Sequence, residues 1–230
     1  MSDMATPEIQ DLLKHQSFKI LNADQISSFM KYGFLRLPGA IPLENCDRWS
    51  EHVWQRLGMD PNDKSTWTSE RSHMAKLNMI PAREIAPIAW AAICELCGGE
   101  DRISKGGDKW TDGFIVNLGS DETEGKTTPP KELEGWHVDG DFFVHFLDSP
   151  EQALLVIPCW SDVEENGGAT WVCDEGPRRI GKLLVCLLSD PLHLTRAAKY
   201  DEADVSVRSS GRVEPDDESP GRTTLKGQPE

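Results

Sequence analysis

Apolar residues recur at helical spacing through most of the first hundred residues. They predict three helices, at residues 23–31, 42–57 and 82–96. Asn22 is a capping residue in front of the first helix, and Gly33 supplies its end. Pro42 opens the second helix. The alternating segment 33–37 predicts a short strand between them.

The period of the pattern changes after Trp110. Residues 113–118 predict a strand, and a charged loop follows at 119–135. Turn residues then separate five short apolar runs, at 136–139, 142–147, 153–160, 169–173 and 183–188. Short strands at this spacing favour an antiparallel sandwich or barrel. Helices followed by strands indicate an α+β fold, in which a helical layer packs on a β core.

The two ends of the chain lack a repeating apolar face. Residues 1–17 are predicted to form a flexible arm. Residues 199–230 are rich in Asp, Glu, Ser, Gly and Pro, and they are predicted to be a disordered acidic tail. One folded domain is therefore expected over residues 18–198, which is an ordinary domain size.

The charge balance narrows the list of expected partners. The chain has 24 Lys and Arg against 39 Asp and Glu, a formal net charge of -15. Such a surface repels phosphate backbones and anionic headgroups, so neither nucleic acid nor a membrane is expected as a partner. No apolar run approaches the ~20 residues of a membrane span. The six cysteines lie mostly in apolar runs, as buried thiols do in a reducing compartment, and a cytoplasmic protein is expected.

The segment 135–141, Gly-Trp-His-Val-Asp-Gly-Asp, carries the strongest candidate chemistry. On a strand, residues two apart project to the same face, so His137 and Asp139 would present an imidazole nitrogen beside a carboxylate oxygen. Two such ligands and a distant second His form the facial triad of non-haem Fe(II) oxygenases. An isolated His-x-Asp occurs by chance in many proteins, so the surrounding sequence decides whether the motif indicates a metal site.

That setting resembles the phytanoyl-CoA dioxygenase family, a branch of the Fe(II)/2-oxoglutarate-dependent oxygenases. The resemblance rests on Trp-His-x-Asp at 136–139, on LLVIPCW at 154–160 and on the Asn-Gly-Gly turn at 166–168. The segment YGFLRLPGAIP at 32–42 is similar to the family's opening segment. The likeness covers roughly residues 18–180.

The resemblance implies a double-stranded β-helix, a cupin-like jelly roll, with the N-terminal helices packed on it. It also implies Fe(II) held by His137, Asp139 and a distal His, with 2-oxoglutarate as co-substrate and O₂ oxidising a small organic molecule. His193 is the candidate third ligand. Arg196 is the candidate anchor for the far carboxylate of 2-oxoglutarate, because Arg binds carboxylates through two parallel hydrogen bonds.

Three further residues are candidates with structural alternatives. Asn117 and Trp160 are candidate contacts of the co-substrate, although an ordinary strand Asn and a core Trp explain them equally well. His145 lies within reach of the same site in the sequence pattern, but a partly buried structural histidine is the favoured interpretation.

The C-terminal end departs from the family's pattern. His193 follows Asp139 closely for this family, Arg196 lies only three residues beyond it, and at most six candidate strands stand in place of the eight of a jelly roll. Two interpretations stay open. The site is complete in compressed form, or the chain is a truncated, catalytically inactive jelly-roll protein with a binding role or no independent role. A cupin-like metal protein that uses no 2-oxoglutarate is a third alternative.

Overall fold

The computed structural model describes residue 11 and residues 18–140, 143–149, 151, 154–164, 167–174 and 176–189. Residues 186–189 are described by their backbone alone. Apart from residue 11, the predicted arm and the predicted acidic tail lie outside these residues. None of the described helices is both long and apolar enough to cross a lipid bilayer.

The first predicted helix is confirmed as α1 (Ala23–Tyr32), and its two ends follow from local sequence signals. The Asn22 side chain accepts a hydrogen bond from the backbone N–H of Gln25, and the Gln25 side chain accepts one from the N–H of Asn22. This capping box satisfies two N–H groups that a helix start leaves unpaired. Gly33 ends the helix in the left-handed conformation, at φ 79°.

The second predicted helix is divided into α2 (Leu43–Ser50) and α3 (Val53–Leu57). The Ser50 hydroxyl donates to the carbonyl of Cys46 at 2.7 Å, one turn earlier in α2. Serine side chains that bond the preceding turn in this way compete with the regular backbone pattern and often bend a helix. The break falls immediately after this serine.

The third predicted helix is also divided, into α4 (Ala82–Ile85) and α5 (Pro87–Cys97). Ala86 lies between them with φ -142° and ψ 65°, outside the helical region. The cause is Pro87, since proline disfavours the helical conformation in the residue before it and lacks an N–H for the preceding turn.

Four short strands form two antiparallel pairs. They are β1 (Arg71–His73), β2 (Met79–Pro81), β3 (Lys109–Thr111) and β4 (Ile115–Asn117). Strand β1 pairs with β4 and β2 with β3, both antiparallel, and the register shifts by two residues between the two pairs. Backbone hydrogen bonds from Met74 to Phe114 and from Asp112 to Asn78 lie between the two pairs. The pairs therefore form one interrupted ribbon, in which residues 70–81 run beside residues 109–118. Short 3-10 turns lie at Lys64–Thr66, Glu100–Arg102 and Pro130–Glu132.

Two of the predicted strands are wrong. Residues 33–37 have irregular backbone, and residues 183–188 belong to a helix, α6 (Gly176–Ser189). A short apolar run does not distinguish a buried strand from a helix face. Here Arg178 and Arg179 precede the run four and three residues before Lys182, the spacing of one helix face, which favours the helix.

The centre of the predicted strand 113–118 is confirmed as β4. The described residues of the four runs within 136–173 have irregular backbone with no paired strand. The jelly-roll core and the N-terminal helices packed on it stay a prediction.

Helix α6 packs against the end of α1. The Arg178 guanidinium donates to the carbonyl of Met30 at 2.9 Å, and a Cβ on Gly33 would clash with the ring of Pro177. Glycine at position 33 thus serves both the end of α1 and the approach of α6.

The N-terminal segment is tied to α5 by one carboxylate. Glu95 accepts hydrogen bonds from the backbone N–H groups of Lys19, Ile20 and Leu21, at 2.5 to 2.9 Å. Burial alone would raise the pKa of Glu95, but these hydrogen bonds and the Lys19 charge outweigh it and lower the pKa. Beside this anchor lies a small apolar cluster made of Leu21, Ile26 and Ala92, with Phe18, Leu35, Leu37 and Leu96 packed on it.

The interruption of the ribbon holds another hydrogen-bonded carboxylate, and this one is buried. Asp112 is only 4% exposed and accepts hydrogen bonds from the N–H groups of Leu77 and Asn78 and from the Asn78 amide, at 2.7 to 2.9 Å. The Arg56 guanidinium on α3 lies 3.2 Å from Oδ2 of Asp112, the oxygen that also accepts from the Asn78 amide, and it donates to the carbonyl of Ala75. Burial alone would raise the pKa of Asp112, but these donors and the Arg56 charge hold it below its ordinary value. The cluster fastens α3 to the ribbon.

Both carboxylates make the protein sensitive to acid. Because the pKa values of Asp112 and Glu95 are lower in the folded chain than in the unfolded one, the folded state binds fewer protons. Their contribution to stability is complete above about pH 5 and is lost as the pH falls through the folded-state values. We expect the urea midpoint to fall between about pH 5 and pH 3, and to fall less steeply in Glu95→Gln. The control is Glu84→Gln, which removes an exposed carboxylate from α4; an equally flattened profile in this control would contradict the assignment.

Candidate metal centre

His137 and Asp139 lie in a loop, not on a paired strand as predicted. The loop begins after the 3-10 turn Pro130–Glu132, and the Trp136 indole N–H donates to the carbonyl of Pro130 at 3.2 Å. Gly135 (φ 81°) and Gly140 (φ 111°) bracket the segment in conformations that favour glycine. An anchoring indole and two glycine turns therefore place the pair.

The structure brings the two side chains together. Nε2 of His137 lies 3.2 Å from Oδ1 of Asp139, and the side chains are 55% and 58% exposed. On the other side of the imidazole, Nδ1 lies 2.7 Å from the carbonyl oxygen of Gly135. The gap between the imidazole nitrogen and the carboxylate oxygen attracts a cation, either a proton or a metal ion.

The separation of these two atoms is that of a direct ion pair, and it also fits two neighbouring ligands of one metal ion. Ligand atoms lie about 2.0–2.2 Å from such an ion, so two of them at a right angle are about 3.0 Å apart. Among the described residues no third His, Cys, Asp or Glu joins the pair. His193 and Arg196, the predicted third ligand and carboxylate anchor, lie outside the described residues.

His145 makes packing and hydrogen-bonding contacts beside the loop, which agrees with its interpretation as a structural histidine. Its Nε2 lies 2.8 Å from the carbonyl oxygen of Gly140, and its ring stacks on Phe143 with centroids 4.5 Å apart. A Cβ on Gly140 would clash with the Phe143 ring. The histidine therefore packs against the glycine turn that follows Asp139.

Asn117 and Trp160 each have a protein partner. The Asn117 amide donates to the carbonyl of Gly168 at 3.1 Å. The Trp160 indole makes edge contacts with Trp110 and Phe114, with centroids 6.0 and 5.9 Å apart. These contacts hold Trp160 and Gly168 against the ribbon, and a contact with 2-oxoglutarate stays a prediction for Asn117 and for Trp160.

Two cavities lie on other parts of the described surface. One of about 350 Å³ is lined by residues that include Arg83, Trp90 and Lys105, and one of about 320 Å³ by residues that include Arg56 and His73. Neither cavity is lined by His137 or Asp139. The pair faces outward from the part of the chain that the structure describes.

One member of the candidate site has no signal in the sequence. The carbonyl of Gly135 contacts His137, yet every residue has a carbonyl, so no residue type marks this role. A glycine two positions before the histidine is the one feature that points to a special backbone conformation there.

Comparison with known proteins leaves the family open. No protein-family model matches the chain, and no match is found among curated proteins or solved structures. The resemblance to the phytanoyl-CoA dioxygenases therefore rests on the sequence motifs alone.

Proposed function

We propose that this protein is an Fe(II)- and 2-oxoglutarate-dependent dioxygenase that oxidises a small organic molecule. The observation that carries the proposal is the 3.2 Å separation between Nε2 of His137 and Oδ1 of Asp139, which suits two neighbouring ligands of one ion. The Trp-His-x-Asp motif and the segments that follow it support the same chemistry.

The chain's own residues have distinct tasks in this proposal. His137 and Asp139 supply a neutral nitrogen donor and an anionic oxygen donor, a combination that suits ferrous iron. His193 completes the ligand set, and Arg196 pairs with the far carboxylate of 2-oxoglutarate. When bound, the iron supplies the oxygen chemistry, while the protein supplies binding and orientation.

An anaerobic titration with Fe(II) and 2-oxoglutarate tests this proposal. We expect a weak visible charge-transfer band when both are present, and succinate once air is admitted. The band is a direct sign that 2-oxoglutarate chelates the bound iron. If neither the band nor succinate is observed, the dioxygenase proposal is wrong.

The exposure of the site favours a second candidate function. Besides the half-exposed pair, several large apolar side chains between residues 138 and 185 face outward, among them Val144, Leu147, Leu155 and Ile157. Monomeric proteins rarely leave a wide apolar surface uncovered. A catalytically inactive jelly-roll protein that binds a partner through this half of the chain would account for both observations.

Thermal unfolding separates the two candidates. A ligand that binds only the folded state at 100 times its Kd stabilises that state by about 2.7 kcal/mol. The dioxygenase therefore predicts a clear rise in Tm when Fe(II) and 2-oxoglutarate are added together under anaerobic conditions. The inactive protein predicts no shift.

A further inference from the structure

We propose that the cavity of about 350 Å³ beside β3 binds the phosphate group of a small phosphate monoester. Its walls come from α4, α5, the 3-10 turn Glu100–Arg102 and the loop that leads into β3. Neither His137 nor Asp139 lines this cavity, so the inference goes beyond the proposed dioxygenase and does not depend on it.

The charge balance in this cavity is the reverse of that in the whole chain. Its walls contain three cations and two carboxylates, whereas the chain has 24 Lys and Arg against 39 Asp and Glu. A small anion is therefore favoured locally, while the net negative charge of the protein disfavours a long polyanion. The cations are Arg83, Lys105 and Lys109, and the carboxylates are Glu100 and Asp108.

The Arg83 guanidinium is already occupied by protein partners. It lies 2.8 Å from Oε1 of Glu100 and 3.9 Å from Oδ2 of Asp108. The same group lies over the Trp90 ring, 5.5 Å from its centroid. Arg83 therefore holds both carboxylates and joins three walls of the cavity, which leaves the two lysines to meet a ligand.

The lysine side chains are available to an anion. In the part of the chain that the structure describes, neither Lys105 nor Lys109 has an ion-pair or hydrogen-bond partner for its ammonium group, and the Ser104 hydroxyl beside them also has none. An ammonium group binds as a compact point charge with three donors, which suits the oxygens of a phosphate, whereas a planar carboxylate is best matched by an arginine. These donors therefore favour a phosphate group.

The backbone between the two lysines adds further donors. Gly106 has φ 94°, a conformation that favours glycine, and a Cβ built there would meet no atom within 4 Å. The N–H groups of Lys105 and Gly106 have no hydrogen-bond partner among the described residues. Successive N–H groups in a turn of this kind form a concavity that binds anions.

Isothermal titration calorimetry of the metal-free protein with phenyl phosphate and with inorganic phosphate, at constant ionic strength, tests the proposal. We expect phenyl phosphate to bind at millimolar concentration or below, and more tightly than inorganic phosphate, because Ile103 provides an apolar wall for its ring. Lys105→Gln and Lys109→Gln should each weaken this binding by about 10-fold, since each removes a charge-assisted hydrogen bond.

Lys126→Gln is the matched control. Lys126 is exposed in the loop at 119–135 and does not line the cavity, so this variant changes the net charge equally and should bind phenyl phosphate like the wild-type protein. Amide NMR of the wild-type protein should place the largest shifts between residues 104 and 109.

Three results would overturn the inference. They are the absence of binding at millimolar phenyl phosphate, an equal loss of affinity in Lys126→Gln, and inorganic phosphate that binds as tightly as the ester. Because no Fe(II) is present in these titrations, none of the three results bears on the proposed dioxygenase.

Discussion

Replacement of either His137 or Asp139 by alanine is expected to weaken anaerobic Fe(II) binding by more than about 100-fold. Each variant removes one of the two atoms that lie 3.2 Å apart across the gap. Loss of a ligand should cost more than the 10- to 100-fold that follows from loss of a group hydrogen-bonded to a ligand. The measurement is the Fe(II) dissociation constant of each variant beside that of the wild-type protein.

Matched controls show whether the loss is specific. His52→Ala and Asp148→Ala remove an exposed histidine and an exposed aspartate elsewhere in the described chain, and both should bind Fe(II) like the wild-type protein. His145→Ala should also retain binding, because His145 contacts the Gly140 carbonyl and stacks on Phe143. If His145→Ala loses as much affinity as His137→Ala, the ligand assignment is wrong.

The second large effect concerns stability. Asp112→Ala is expected to lower the free energy of unfolding by about 3 kcal/mol, since breaking a buried ion pair from one side leaves the other charge uncompensated. The variant leaves Arg56 and the N–H groups of Leu77 and Asn78 without their shared acceptor. Urea unfolding measures the change.

Asp108→Ala is the control for Asp112→Ala. Asp108 lies 3.9 Å from Arg83 in a more exposed pair, and its removal should cost less than about 1 kcal/mol. Similar losses in the two variants would contradict the assignment of the Asp112 cluster as the fastening between α3 and the ribbon. The Arg56→Ala/Asp112→Ala double variant should lose less than the sum of the two single variants, because the residues are in contact.

Elements specified by neighbouring residues could be predicted from the sequence. Helix α1 is the clearest case, since Asn22 and Gln25 mark its start and Gly33 marks its end. The break at Ala86 has an equally local cause in Pro87. By contrast, the apolar run at 183–188 is compatible with both a strand and a helix, and the basic residues before it were needed to decide.

Contacts between distant segments could not be predicted in this way. Nothing near Asp112 in the sequence indicates that Arg56 and Asn78 surround it, because this cluster depends on how residues 70–81 pair with residues 109–118. Hydrogen bonds at long sequence separation leave no periodic signal.

The candidate site was predictable in its residues but not in its construction. His137 and Asp139 belong to one short motif, so their proximity follows from the local chain. The prediction assumed strand alternation, whereas the structure places them through the Trp136 anchor and the glycine turns at 135 and 140. The contact between the Gly135 carbonyl and His137 could not be predicted from side-chain types, because every residue has a backbone carbonyl.

The most direct test is a crystal structure of the protein grown anaerobically with Fe(II) and 2-oxoglutarate, with anomalous data collected at the iron absorption edge. We expect one iron peak about 2.0–2.2 Å from both Nε2 of His137 and Oδ1 of Asp139. An iron peak bound elsewhere, or a pair closed by its own hydrogen bond with no iron beside it, would contradict the account.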